Sequence, residues 1–290
     1  MNEHDNSGQD DGAQRSWTAR LGSDFPLRLA AGLAMGAVAL AFTLAGAMPF
    51  AVLVVLAALV VSWEWGRLVH GKEAGIVVAV QIGTAALAGI LAAAGFVGLG
   101  LLALPIGAIL ATLLSLGRNS LFSALGVFYA GLPTVALIWL RSDAWLGLLA
   151  VVFLIVIVVT ADTAGFLAGR LFGRSKLWPS VSPNKTWEGL IGALLASAIV
   201  GGLFWFVVPE ASAVRLAATG AVLALVAQAG DLAESALKRR FGAKDTGTLI
   251  PGHGGIMDRV DGLVAVASAV GIAAIVIDVH SPARALLLGS

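Results

Sequence analysis

The chain has 290 residues, of which 59% are hydrophobic and only 12% charged, and its mean hydropathy is +0.94. A soluble globular domain would carry about 25% charged residues, so the composition places this chain in a bilayer and excludes an ordinary soluble enzyme. A net charge of +1 argues against nucleic acid as a partner, and the absence of cysteine excludes disulfides, thiolate metal sites and cysteine nucleophiles.

Residues 1–24 are polar and lack the apolar core of a signal peptide, which predicts a disordered tail. From Leu27 onward, apolar runs long enough to span a membrane alternate with short polar breaks. Nine spans are predicted, at 27–46, 48–64, 75–96, 97–116, 123–140, 144–164, 189–208, 213–234 and 260–279. The expected fold class is therefore all-α, a polytopic integral membrane protein. Residues 25–143 read as scaffold and residues 144–285 as the catalytic region. Of the 18 Lys and Arg, only Arg141, Arg215 and Arg284 fall on one side of a nine-span arrangement. Positive charge is retained in short cytoplasmic loops. The excess on the other side predicts a cytoplasmic N-terminus and a multi-pass protein of the cell membrane. No internal repeat of the inverted-topology kind is present.

The scarce charges concentrate between Gly230 and Gly262, where 33 residues hold eleven ionisable side chains. Asp231, Glu234, Ser235 and Lys238 recur at i, i+3, i+4 and i+7, so they share one helix face. An ionised Asp costs at least about 2.5–3.5 kcal/mol within a membrane span, so such a face turns toward a partner or a wet cavity. Asp258 and Asp261 stand at i and i+3 in the first turn of the last span. Either suits helix capping, and Asp258 starting this span can converge with Asp231 ending the previous one on a cation. Hard oxygen ligands without cysteine favour Mg²⁺, which takes one or two carboxylates plus substrate phosphates. Lys238, Arg239, Arg240 and Lys244, followed by Pro251-Gly252-His253-Gly254-Gly255, suit phosphate recognition by cations and backbone amides. They also suit contact with anionic lipid headgroups.

A second cluster follows the sixth span. It comprises Asp162, Gly169-Arg170, Arg174, Lys176 and the run Ser182-Pro183-Asn184-Lys185-Thr186-Trp187-Glu188-Gly189. Lys185 stands just before a predicted helix N-terminus, where free amides favour anions. Two groups of carboxylates and cations on one membrane face point to metal-assisted transfer involving a polyphosphate.

The run Ser235–Asp261 resembles the signature of the phosphatidate cytidylyltransferases, the CDP-diglyceride synthases. It carries Ser235, Lys238-Arg239, Lys244-Asp245, Pro251, His253-Gly254-Gly255, Asp258-Arg259 and Asp261. The segment from Ser182 to Gly189 and Asp162 with Gly169-Arg170 are similar to further family segments. Glu64-Trp65 and Tyr129-Ala130-Gly131-Leu132-Pro133 extend the likeness over most of the membrane region. The resemblance implies transfer of the cytidylyl group of CTP to phosphatidate, giving CDP-diacylglycerol and pyrophosphate. On that basis Asp231 and Asp258 are expected to hold Mg²⁺, with Asp162, Asp245 and Asp261 as further candidate ligands. A second metal or a monovalent ion is left open. Lys238, Arg239, Lys244 and Arg259 are expected at the triphosphate or the lipid phosphate, together with Ser182, Lys185, His253, Gly254 and Gly255. The expected partners are CTP, phosphatidate and bilayer lipid. Gly32-x-x-x-Gly36 permits close helix packing and is compatible with a homodimer.

Two other classes compete. A transporter would place its charges near the midplane on broken helices of repeated halves. Another CDP-lipid headgroup transferase would show further paired aspartates in the last span, and after Asp261-Gly262 the next aspartate is Asp278.

Overall fold

The structure, a computed structural model, describes residues 36–71, 75–247 and 254–289. The polar tail, the start of the first predicted span, Gly32 of the small-residue pattern, and His253 lie outside the described residues. The described residues are nearly all helical, and among them eight helices are long and apolar enough to cross a membrane. A short apolar helix α1, Gly36–Ala45, is the described part of the first predicted span. The eight are α2 Ala47–His70, α3 Gly75–Ala93, α4 Val97–Leu114, α5 Ser120–Arg141, α6 Gly147–Phe172, α7 Trp187–Leu203, α8 Ala213–Arg240 and α9 Met257–Ile277. A terminal helix α10, Pro282–Leu287, follows.

The spans match the hydropathy pattern, and the differences fall at polar ends. Three predicted ends fall short: α2 continues from 64 to His70, α6 from 164 to Phe172 and α8 from 234 to Arg240. Polar residues ended the apolar runs in sequence, but their side chains find partners inside the bundle, so the backbone has no reason to leave the helix. At 28 residues, α8 is about 42 Å long. A hydrocarbon core is about 30 Å thick, so the charged last turns of α8 extend to or past the membrane edge.

Helices α2, α3, α4 and α5 pack on one another, as do α6, α7 and α8. Helix α9 joins the two groups, lying against α5 on one side and α8 on the other. Its contact with α8 is close because of Gly230. A Cβ there would stand 2.4 Å from the Ala265 Cβ, inside van der Waals contact, so only glycine lets these backbones approach. The core beneath the site is fully buried around Phe153, Leu154, Ile157 and Val266.

Between α6 and α7 the chain forms one small antiparallel hairpin, β1 Lys176–Trp178 and β2 Ser182–Thr186, pairing Lys176 with Thr186 and Trp178 with Ser182. Thr186 ends the hairpin and caps α7, its hydroxyl accepting from the Gly189 amide at 3.1 Å. This is the N-cap role expected of a threonine before a helix.

At the opposite end of α6, the Asp143 carboxylate closes the turn leading into the helix. Its Oδ1 accepts from the amides of Trp145 and Leu146 at 2.9 and 2.8 Å, and its Oδ2 accepts from the Ser281 hydroxyl at 3.0 Å. Partial burial pushes this carboxyl up. The Leu146 and Trp145 amides, Ser281 and the Arg284 charge outweigh that and hold it below the ordinary carboxylate range. A depressed pKa stabilises the fold above the unfolded value, and the contribution is lost as pH falls through the folded value. Asp143→Asn is therefore expected to lower the thermal midpoint in detergent at pH 7 by roughly 2–4 °C, the shift about 1 kcal/mol gives in a chain of this size. The difference from the parent shrinks below about pH 4, and scanning calorimetry across that range checks it.

Candidate active site

Three carboxylates meet where α8 crosses α9. Asp231, Glu234 and Asp261 each offer one oxygen, and these oxygens all lie within 4.8 Å of one another. Asp231 and Glu234 sit one turn apart on the same face of α8, while Asp261 projects from the first turns of α9 beside the Gly230 crossing. Glu234 is only 2% exposed. Its Oε2 receives the Lys238 ammonium at 3.1 Å, and its Oε1 is buried with no hydrogen-bond partner among the described residues. Asp261 Oδ1 accepts from the Gly262 amide at 2.7 Å, and Asp231 Oδ1 from the Ser235 hydroxyl at 3.3 Å. Three like charges this close repel, and a buried carboxylate oxygen without a donor is costly. A divalent cation between them answers both, and oxygen donors of this kind suit a hard ion. The residues present therefore fit a metal.

Asp258 is placed differently from the expectation that it pairs with Asp231 on a cation. Its Oδ1 accepts from Lys238 Nζ at 2.7 Å. Its Oδ2 accepts from the Gly255 amide at 2.8 Å, the Thr246 amide at 3.0 Å and the Thr246 hydroxyl at 2.9 Å. With both oxygens engaged, Asp258 holds the loop and the lysine, and Asp261 takes the place beside Asp231. Lys238 in turn lies between Glu234 and Asp258 with its side chain 13% exposed, so its charge is matched by protein carboxylates instead of reaching freely toward a phosphate.

The glycine loop is also differently used. Gly254 turns the chain at φ 82°, and the next three amides all donate to carboxylates. Gly255 donates to Asp258, while Ile256 and Met257 donate to Glu64 Oε1 and Oε2 at 3.0 and 2.7 Å. Glu64 is fully buried, on α2. A Cβ at Gly255 would stand 2.6 Å from its carboxylate oxygens, so glycine is what admits the glutamate. The positive end of α9 thus binds the protein's own anions, where the sequence suggested that Gly254 and Gly255 would cradle a phosphate.

A cleft of about 490 Å³ opens between α6, the hairpin and α8, and Asp231 lines it as well as the carboxylate cluster. Asp162, Arg170, Ser182, Lys185 and Gln228 give it polar walls, while Phe166, Leu177 and Leu190 give it an apolar side. Lys185 Nζ pairs with Asp231 Oδ2 at 2.7 Å and donates to the Gln228 side-chain and main-chain oxygens at 3.1 and 3.3 Å. The Gln228 Nε2 donates to Asp162 Oδ1 at 3.3 Å. The second sequence cluster is therefore joined to the first by direct contacts.

The remaining candidates lie toward the surface. Arg239, Lys244, Asp245 and Arg259 are exposed, and Arg239 donates to the Ala243 carbonyl at 3.4 Å beyond the end of α8. Asp245 lies outside the three-carboxylate cluster, as does Asp162, which meets Asp231 across Gln228 and Lys185. Glu64, Gln228 and Glu234 were not singled out as site residues. Glu64 carried a signal, as an acid within an apolar run, and Glu234 and Gln228 share the face of α8 that bears Asp231.

A family model described as "Cytidylyltransferase family" matches residues 26–277. The chain is 35% identical over 249 residues to the phosphatidate cytidylyltransferase of Brucella suis biovar 1 (strain 1330), covering 85% of this chain and 92% of that protein. It is 41% identical over 155 residues to the phosphatidate cytidylyltransferase of Staphylococcus haemolyticus (strain JCSC1435), covering 52% of this chain and 58% of that one.

Removing the Glu64 carboxylate leaves two buried amides without acceptors, each worth about 1–3 kcal/mol. Glu64→Ala is therefore expected to destabilise the protein by roughly 2–6 kcal/mol. Glu64→Gln, which keeps one acceptor oxygen, should recover part of the loss. Chemical denaturation in mixed micelles measures both, and equal stability of all three proteins would show that α9 does not depend on this contact.

Proposed function

This chain belongs to the cytidylyltransferase family, and we propose that it transfers the cytidylyl group of CTP to phosphatidate, releasing pyrophosphate and leaving CDP-diacylglycerol in the membrane. The observation that carries this reading is the position of Asp231, shared between the Asp231, Glu234, Asp261 cluster and a cleft with both cationic and apolar walls. A metal-binding group and a site for an amphiphilic anion are thereby adjacent. The relatives named for this activity are alike over 85% of the chain in the Brucella suis case. A carrier or a different headgroup transferase is not favoured.

In the reaction an oxygen of the lipid phosphate forms a bond to the α-phosphorus of CTP. The bond from that phosphorus to the bridging oxygen breaks, and its electron pair leaves with pyrophosphate. Phosphatidate is already anionic near neutral pH, so no strong base is required, and the task is to bring two anions together. Asp231, Glu234 and Asp261 would hold Mg²⁺. When bound, that ion supplies charge neutralisation at the phosphates. Lys185 and Arg170 line the cleft and would receive phosphate oxygens there, with Ser182 as a further donor. Phe166, Leu177 and Leu190 would face the lipid side. Arg239, Lys244 and Arg259, exposed near the same end of the bundle, would draw CTP toward the site. Lys238 and Asp258 would hold α8, the loop and α9 in register. His253 belongs to the signature and is assigned to phosphate contact on the resemblance alone. The positive-inside distribution supports a site facing the cytoplasm of the cell membrane, where CTP is available.

Purified protein in detergent, supplied with labelled CTP, phosphatidate and Mg²⁺, is expected to form CDP-diacylglycerol and to stop when the divalent cation is chelated. Folded protein that yields no product with any divalent cation would sink the reading. Asp231→Asn should lower turnover by about two orders of magnitude and raise the Mg²⁺ needed for half-activity, since the charge stabilisation at stake is several kcal/mol. Asp245→Asn, exposed and outside the cluster, should stay within about twofold of the parent. Reversal of that order in a Mg²⁺ titration would move the metal from the α8–α9 crossing to the loop.

A further inference from the structure

The chain contains one tyrosine, and its side chain packs on a buried group that includes Leu237 of α8 and Met257 of α9, the two helices that carry the carboxylate cluster. Tyr129 lies on α5, its ring tilted on Trp65 with centroids 4.8 Å apart and planes at 33°. It packs on the buried group formed by Trp65, Val69, Leu237 and Met257, so α2, α8 and α9 together hold the ring. Trp65 is itself fixed by its indole N–H, which donates to the Phe122 carbonyl at 2.8 Å.

The Tyr129 hydroxyl is buried and makes no hydrogen bond among the described residues. The charges of Glu234, Asp261, Asp258 and Asp231 all bear on it. A buried hydroxyl without a partner costs about 1–3 kcal/mol, and the great majority of buried polar groups in folded proteins are satisfied. Glu234 Oε1, within the cluster, is in the same condition among the described residues. One of these orphaned atoms belongs to a donor and the other is an acceptor, yet they do not bond to each other. A cation that carries its own oxygen ligands satisfies both. The carboxylates take the cation, and one of its oxygens takes the hydroxyl hydrogen.

We propose that Tyr129 is a positioning residue whose hydroxyl donates a hydrogen bond to an oxygen ligand of the cation held by Asp231, Glu234 and Asp261. That oxygen is a bound water or a phosphate oxygen of the nucleotide. The inference rests on the metal assignment of the proposed function. In mechanism it acts as outer contacts of metal sites do, fixing where an oxygen stands relative to the ion. The ring supplies packing and the hydroxyl supplies the aim, so the two contributions separate in Tyr129→Phe.

A single tyrosine makes the test direct. Full-length protein labelled with carbon-13 at the tyrosine Cζ gives one resonance, whose position responds to hydrogen bonding of the phenol. It is recorded alone, with Mg²⁺, and with Mg²⁺ plus the non-reacting α,β-methylene analogue of CTP. A shift on Mg²⁺ alone assigns the acceptor as cation-bound water, and a shift only when the analogue is added assigns it as a phosphate oxygen. No shift in either arm overturns the proposal. In parallel, Tyr129→Phe is expected to keep its thermal midpoint within a few degrees while kcat falls about tenfold with little change in KM for CTP. Unchanged kcat and unchanged Mg²⁺ half-saturation also overturn it. Product formation by the parent in the same preparation separates the two readings. A silent resonance in active protein ends the tyrosine proposal alone, and a responsive resonance in inactive protein ends the activity reading alone.

Discussion

The start of α9 presents free amides and the positive end of a helix dipole inside a largely apolar bundle. Backbone donors cannot be left open there. Two carboxylates close them, Asp258 from the first turn of the helix itself and Glu64 from α2, with the Gly255, Ile256 and Met257 amides as donors. This contact ties a residue near the beginning of the described chain to the signature loop almost two hundred positions later. Because α9 also joins the two groups of packed helices, its entry point sets where α5 on one side and α8 on the other pack against it. The carboxylate cluster lies on the α8 side of α9, and Tyr129 belongs to the α5 side.

Closing those amides with protein anions has a chemical consequence. A glycine-rich helix start would ordinarily be a place for phosphate, and here that capacity is already used. On the proposed function, phosphates would be met by side-chain cations, and Arg170 and Lys185 line the cleft beside the hairpin, with Lys185 in contact with Asp231. On the same reading, metal binding and phosphate binding would thus be divided between two neighbouring places, linked by one ion pair and by Gln228. Lys238, the most enclosed cation of the signature, holds Glu234 and Asp258 together. A buried pair of this kind contributes mainly through what its loss would expose, an unpaired charge in a poor solvent.

Much of the architecture was legible along the chain. Hydropathy read in windows placed eight of the nine predicted spans close to the helices found, because a membrane span is a local property of about twenty consecutive residues. The shared face of Asp231, Glu234, Ser235 and Lys238 was legible for the same reason, since 3.6-residue periodicity is local. The ends of α2 and α8 were not. Polar residues there look like loop until a partner from elsewhere in the chain is known, and Glu64 finds its partner on α9.

What the sequence alone determined is the membrane setting, the all-helical class and the signature that marks the chemistry, since each depends on composition, periodicity or ordered residues within a short segment. The tertiary structure decided which charges meet. Asp258 and Asp261 differ by three positions, and Asp258 was the expected partner of Asp231, yet it is engaged by Lys238, Gly255 and Thr246 while Asp261 stands beside Asp231 and Glu234. That choice is made by the crossing of α8 and α9 at Gly230, and a crossing is a relation between distant segments that no local pattern encodes.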